Sequence, residues 1–290
     1  MKTLDALALI GKLTRRPDEH KGTAGKALLI GGAPTMAGAL ILAGKSALHS
    51  GAGLTLLMML DQDSSHVVTD QPELMMHDAN RYQPVEALRT IKPTAIAIGP
   101  GIGLADPAQA WLHASLNWVG PLIIDADALN LLSMNPELLS VLKQRKSPTT
   151  LTPHPGEAAR LLGWHTDQVQ QDREGAIHAL VRLTNAIVVL KGHQTLIANP
   201  QGESFICMQG NPGMAVGGMG DTLTGCIAGI AAQGMAHEID LFDATCLAVQ
   251  LHAMAGDQLV EQQIGPIGLT PSELTIEIRR IINHRLSQCS

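Results

Sequence analysis

Aromatic residues make up only 2% of this 290-residue chain, so the platforms on which proteins stack bases are nearly missing. Long basic runs are missing too, and the formal net charge is −6. Phosphate backbones are held by clustered Lys and Arg, so a nucleic-acid partner is not expected. Cysteine is scarce: Cys207, Cys226, Cys246 and Cys289 form no CxxC pair and none lies near histidine at ligand spacing. They read as small core residues, or a stray C-terminal thiol, in a reducing compartment. The twelve histidines include no HExxH, and no structural metal is implied. No apolar run reaches membrane-spanning length; the segment from Met36 to Leu60 is interrupted by Lys45, His49 and glycine pairs. The stretch from Leu4 to Ile10 is too short and too acidic for a signal peptide. The expectation is a cytoplasmic protein with no membrane partner.

What the chain does have is apolar residues, 45% of the total, enough for a sizeable core of Leu, Ile, Val, Ala and Met. Met58-Met59 and Met75-Met76 read as filler of that core, not as soft-metal ligands. Short apolar runs alternate with helical patterns. Strands are predicted at 26–30, 54–60, 95–98, 122–124, 149–151 and 186–190. A helix with Ala37, Ala39, Ala43 and Ala47 is predicted between Met36 and His49, a hairpin around Asn199-Pro200-Gln201-Gly202, and helices at 221–233, 241–261 and 272–286. Continuous apolar strands separated by helices imply an α/β fold with a mostly parallel sheet covered on both faces. No linker or repeat interrupts residues 1–290, so one domain is expected. Ligands on such sheets bind outside the carboxyl ends of the strands. Nearly every Gly-rich or polar motif falls at such an end.

The most informative run is Asn211 to Asp221, with Gly217, Gly218 and Gly220 around Met219 and an apolar helix behind. Glycines let backbone approach a ligand closely, and the first N–H groups of a helix lack internal partners. The turn can hold a phosphate, with Asp221 beside it to take a proton from an attacking hydroxyl. A plain Gly-rich turn with Asp in the first helical turn is the structural alternative.

Other strand ends carry further candidates. Gly99-Pro100-Gly101-Ile102-Gly103 does not have dinucleotide-fingerprint spacing, but it can lay a ligand against bare backbone. Asp125 and Asp127 flank Ala126 and could orient water, magnesium or a polar substrate; Asp127 could equally cap the next helix. In Thr152-Pro153-His154-Pro155-Gly156-Glu157 two prolines stiffen one histidine. His154 could donate to a substrate amide or phosphate, or the segment could be a turn before a helix. Lys191-Gly192-His193-Gln194-Thr195 could hold nucleotide phosphates, or be an exposed hairpin.

Together these segments resemble the ADP- or ATP-dependent NAD(P)H-hydrate dehydratases of the ribokinase-like superfamily. The segment His20 to Lys26, Gly38-Ala39, the GPGIG loop, Asp125 to Leu129, Thr152 to Glu157, Lys191-Gly192 and Asn211 to Gly225 run in family order. The resemblance implies a three-layer α/β/α sandwich and repair of a nicotinamide cofactor hydrated on its ring, with ADP or ATP consumed and Mg2+ required. A kinase-like site would phosphorylate the ring hydroxyl, and elimination of phosphate would restore NADH or NADPH from its S-epimer hydrate. Asp221 would be the base, and N–H groups of Gly217, Gly218, Met219 and Gly220 the anion hole. Ala39, Gly101, Gly103, Asp127, His154 and Asp221 would contact the hydrated dinucleotide. Lys191, Gly192, His193, Gln194, Thr195 and Gly220 would contact ADP or AMP. A homotetramer is implied, as is an epimerase supplied by a separate protein, because the matching segments already begin at His20. A vitamin-type kinase of the same fold is the alternative. A nucleotide-binding regulator is disfavoured, because Asp221 beside a phosphate gives a mere binder only repulsion.

Overall fold

Most central strands are apolar runs whose alternate residues go to opposite faces; Thr149-Thr150-Leu151 is the polar exception, buried along its whole length. The computed structural model describes residues 1–68 and 70–289, without the side chain of Cys289. The thiol expected there lies outside the described residues. β1 (Lys2–Thr3) and a 3-10 turn at Leu7–Leu13 precede β2 (Lys26–Gly31), α1 (Ala37–His49), β3 (Leu54–Met59) and β4 (Leu74–Asp78). Next come α2 (Pro84–Ile91), β5 (Ala95–Ile98), α3 (Asp106–Asn117), β6 (Leu122–Ile124), α4 (Ala126–Met134), α5 (Pro136–Gln144) and β7 (Thr149–Leu151). α6 (Pro155–Leu162), α7 (Thr166–Gln171) and α8 (Arg173–Thr184) lead to β8 (Ile187–Leu190), β9 (Leu196–Ala198) and β10 (Ser204–Ile206). The chain closes with α9 (Met219–Gly234), α10 (Leu241–Glu261) and α11 (Pro271–Cys289).

The strands form one 10-stranded sheet in the order β1-β10-β9-β8-β7-β6-β5-β2-β3-β4. From β4 to β8 every pairing is parallel; β9 runs antiparallel to both β8 and β10. Two cores result. Leu29, Leu57, Ala97, Ile123 and Val189 face α1, α9, α10 and α11. Leu28, Ile30, Ile96, Ile98, Ile124 and Leu190 face the helices from α2 to α8.

One helix crossing sets the position of the site. α1 and α9 touch backbone to backbone. A Cβ on Gly225 would stand 2.0 Å from the carbonyl oxygen of Ala43, and one on Gly229 would stand 2.4 Å from that of Ala47. Ala43 and Ala47 thus permit the close packing read from the sequence, whereas Ala37 and Ala39 sit partly exposed at the start of α1. The crossing brings the first turn of α9 to the carboxyl ends of the strands.

β4 has no counterpart in the sequence reading. It is an edge strand with mixed residues, and Met75 on it is 43% exposed, so it is not the core filler that Met58 and Met59 are. Cys207, Cys226 and Cys246 are free and buried. No helix among the described residues is long and apolar enough to cross a membrane.

Candidate active site

The first turn of α9 begins on Gly218, whose φ of +95° is left-handed and costs a residue with a Cβ about 1–2 kcal/mol. No side chain caps this end. The Met219 N–H turns back to the Val216 carbonyl at 3.4 Å; the next N–H groups have no partner within the helix, and the positive end of the helix dipole lies behind them. The loop leading in is held from α10. Asp257 accepts from the Gly210 N–H and from Asn211 Nδ2, both at 2.9 Å. His252, also on α10, meets the Met219 carbonyl at 3.0 Å through Nε2. Burial chiefly pushes its pKa down to about 4, so it is neutral there.

Asp221 follows in the same turn. Its pKa is pushed up to about 7, first by burial and then by the neighbouring charge of Asp125; Lys191 opposes the rise, while Asp127 and Glu157 add to it. A carboxyl poised near neutrality can take a proton and give it back.

Below it lies a charge cluster from three strand ends. Asp125, 1% exposed, accepts from Lys191 Nζ at 2.7 Å and from Thr224 Oγ1 at 2.7 Å, so both its oxygens are engaged. Lys191 Nζ also lies 4.0 Å from Glu157. Burial works against the ammonium, yet Asp125 and Glu157 hold its pKa above the ordinary lysine value. The same ammonium would stand 3.1 Å from a Cβ on Gly220, so it sits directly against the first turn of α9. Glu157 is itself raised, by burial first.

His154 caps α6. Its Nδ1 accepts from the N–H groups of Gly156 and Glu157 at 3.0 and 3.4 Å, and its Nε2 faces Glu157 Oε1 at 3.2 Å. Glu157 in turn accepts from the His154 N–H at 2.8 Å. Both ring nitrogens are therefore used inside the turn, although the ring stays half exposed. Burial, then Lys191 and Arg160, lower its pKa, so the ring is neutral near pH 7.

The opposite wall is the glycine loop. A Cβ on Gly99, at φ +131°, would stand 1.8 Å from the Asp125 carbonyl oxygen, which is why bare backbone is needed there. Asp127 does not cap its own helix. It accepts from the Gly103 N–H at 3.0 Å and from Asn130, tying α4 to this loop. Ala39 packs beside Gly101: its Cβ would be 3.3 Å from one built there. Ala39, Gly101, Gly103 and Asp127 thus lie in one chain of contacts, with Gly101 buried and the other three partly exposed.

The loop from Lys191 to Thr195 rims the other flank, with Gly192 and His193 exposed. Arg173, at the start of α8, braces it from beneath. Its guanidinium donates to the carbonyls of Leu190, Lys191 and Gln194 at 3.1, 3.4 and 3.4 Å. The sequence reading missed Arg173, and also Thr224, Asp257 and His252. Only Thr224, a polar residue three past Asp221 in a mostly apolar helix, leaves a local signal. The segment from His20 to Lys26 lies at the amino ends of the strands. Gly25 there abuts the Ala232 carbonyl, so the segment shapes the fold and stands away from this cluster.

The NAD(P)H-hydrate dehydratase family model matches residues 27–280. The chain belongs to that family. A bifunctional NAD(P)H-hydrate repair enzyme from Vibrio cholerae is 42% identical over 93% of this chain and 52% of its own length. The chain therefore spans about half the length of the bifunctional relatives it matches. An ADP-dependent (S)-NAD(P)H-hydrate dehydratase from Neisseria meningitidis is 36% identical over 93% of this chain and 88% of its own. Among solved structures, the ADP/ATP-dependent NAD(P)H-hydrate dehydratase from Bacillus subtilis, co-crystallised with ATP/Mg2+, is 30% identical. It superposes with a TM-score of 0.85 over 98% of both chains. The family fold, a ribokinase-like α/β/α sandwich, is this chain's fold.

Proposed function

We propose that this chain, as one dehydratase domain, is a cytoplasmic lyase that dehydrates the S-epimer of hydrated NADH or NADPH and consumes ADP or ATP. The observation that carries this reading is Asp221, raised to about 7 in the first turn of an uncapped helix, with the Lys191 ammonium beside it. The names of the Neisseria and Bacillus relatives support the substrate and the nucleotide.

In this reaction Asp221 takes the proton of the ring hydroxyl as its oxygen attacks the terminal phosphorus of the nucleotide. The O–P bond forms, the bond to the leaving AMP or ADP breaks, and the N–H groups of Gly217, Gly218 and Gly220 stabilise the charge in transfer; that of Met219, expected with them, is turned to Val216. Phosphate, a far better leaving group than hydroxide, then departs from the ring carbon. The adjacent carbon gives its proton to solvent or to the departing phosphate, and the electron pair of that C–H bond restores the ring double bond. Ala39, Gly101, Gly103, Asp127 and His154 form the surface for the dinucleotide. Residues Lys191 to Thr195 and Gly220 form the surface for the nucleotide.

The residues do not suit a resident metal. Among those described, no group of three or more His, Cys, Asp or Glu could hold one, and both Asp125 oxygens are taken. Magnesium in this proposal belongs to the nucleotide. A homo-oligomer and an epimerase acting on the same hydrates are part of the same reading; the bifunctional relatives support the latter.

The deciding assay follows absorbance at the reduced-nicotinamide band with hydrated NADH and either nucleotide. Recovery that requires nucleotide and releases phosphate is expected. No recovery in folded protein overturns the reading and turns the search to vitamin-type kinase acceptors. Arg173 provides a second prediction. Arg173→Gln removes three charge-assisted bonds from the nucleotide loop, and KM for the nucleotide is expected to rise about tenfold with kcat within about twofold. A fall in kcat at unchanged KM would place Arg173 in the chemistry instead.

A further inference from the structure

The glycine-loop surface does not end at β2. The Gly32 and Ala33 N–H groups donate to the carbonyls of Pro100 and Gly101 at 3.0 and 2.6 Å. The Leu60 and Asp61 N–H groups donate in turn to Gly31 and Gly32 at 2.9 and 2.8 Å. One hydrogen-bonded rim therefore runs from Asp127 past β5 and β2 to the loop after β3. At its far end, beside the carboxyl ends of β3 and β4, is a cavity of about 390 Å³.

We propose that this cavity, walled by Tyr82, His77 and Arg81, receives the adenosine half of the hydrated dinucleotide. The proposal rests on the dehydratase reading above. Sheet order gives the span. From β6, where Asp125 and Asp127 lie, to the gap between β3 and β4 is three and a half strand spacings, about 17 Å. An extended dinucleotide bridges such a distance. The nucleotide loop after β8 lies on the other flank of β6, so the two adenosine-bearing ligands approach from opposite sides.

The walls suit a nucleoside. Tyr82 is the only tyrosine of the chain and is 40% exposed, in a protein with 2% aromatics. It stands edge-on to His77, with centroids 5.9 Å apart, and its hydroxyl meets His77 Nδ1 at 3.2 Å. A base stacks on such a ring whatever its sequence identity. His77 Nε2 is buried with no hydrogen-bond partner among the described residues, the kind of orphan that a bound molecule or an ordered water resolves. Among the described residues Arg81 uses its Nε alone, on Asp78 at 3.0 Å. Asp63 and Asp78 line the same cavity beside Arg81, so it suits the adenosine of hydrated NADH, which carries no 2′-phosphate, better than that of hydrated NADPH.

The test compares hydrated NADH with hydrated reduced nicotinamide mononucleotide, which lacks the adenosine half. With hydrated NADH, Tyr82→Ala is expected to raise KM about tenfold at unchanged kcat, and Tyr82→Phe to stay near wild type. Neither variant should move the constants for the truncated substrate by more than about twofold. Equal losses on both substrates, or no loss on either, overturn the subsite. Wild-type protein that turns over both substrates with the same kcat/KM overturns the subsite alone. Wild-type protein that turns over neither overturns the dehydratase reading and the subsite with it.

Discussion

Asp221→Asn is expected to lower kcat by about 10²–10⁴-fold while leaving the KM values for both substrates within a few-fold. Asn keeps the shape of the side chain and loses the base. The wild-type pH profile carries the same information. With its pKa near 7, Asp221 is half protonated at neutrality, and only the carboxylate can accept the hydroxyl proton. The rate should fall tenfold per pH unit below about 7 and level off above it; a flat profile from pH 5 to 9 would remove Asp221 as the base. Stability should move the other way. The folded pKa is raised from 3.8 to about 7, so the folded state holds this proton across a window in which the unfolded chain has lost it. The contribution is fully present below pH 3.8 and is lost as pH rises through about 7, at roughly 1.4 kcal/mol per unit in between. Asp221→Asn should therefore raise the melting temperature at pH 8 and change it little near pH 4. Thermal denaturation at the two pH values checks the sign. A variant that is both dead and more stable marks a carboxylate kept for chemistry at a cost to the fold.

The parts of this site that were legible in the sequence are those encoded locally. Strands β5 and β6 stand at the residues predicted, because a strand buried on both faces reads as an apolar run and ends where Gly, Pro or Asp turns the chain; β7, Thr149-Thr150-Leu151, also stands where predicted, marked by its β-branched residues and by Pro153 after it. The turn at Gly217 to Asp221 was readable because a left-handed residue before a helix demands glycine. β4 was not readable: an edge strand open on one side carries Met75, His77 and Asp78 without a run or an alternation. The charge cluster was hidden for a different reason. Asp125 is 66 residues from Lys191 and 99 from Thr224 in the chain, and no short-range pattern tells one partner of the other. Arg173 is hidden in the same way, since nothing around it signals the carbonyls it will meet 17 to 21 residues later. For His154 the sequence disclosed the rigid backbone. The use of both ring nitrogens as a helix cap emerges only when Glu157 folds back on it.

That hidden cluster predicts the largest structural effect. Lys191→Met removes the ammonium and leaves Asp125, 1% exposed, with Thr224 as its one side-chain donor among the described residues. An uncompensated buried charge of this kind costs about 3–5 kcal/mol. The loss should appear as a lower denaturant midpoint at an unchanged slope. Asp125→Asn in the same chain removes the stranded charge, so the double variant should regain much of the lost stability. Asp125→Asn alone leaves the ammonium with Glu157 at 4.0 Å, a weaker partner, and should cost less than Lys191→Met. Activity should not follow stability back. The double variant still lacks the positive charge that stands against Gly220, where the proposed phosphoryl transfer gathers negative charge. Recovery of the fold without recovery of turnover would separate the two tasks of Lys191: neutralising Asp125 and electrifying the phosphate turn. If the single Lys191→Met variant loses no stability, the pair is not the anchor described here. If the double variant regains activity together with stability, the role of Lys191 is structural alone, and the charge at the turn is supplied by the helix N–H groups.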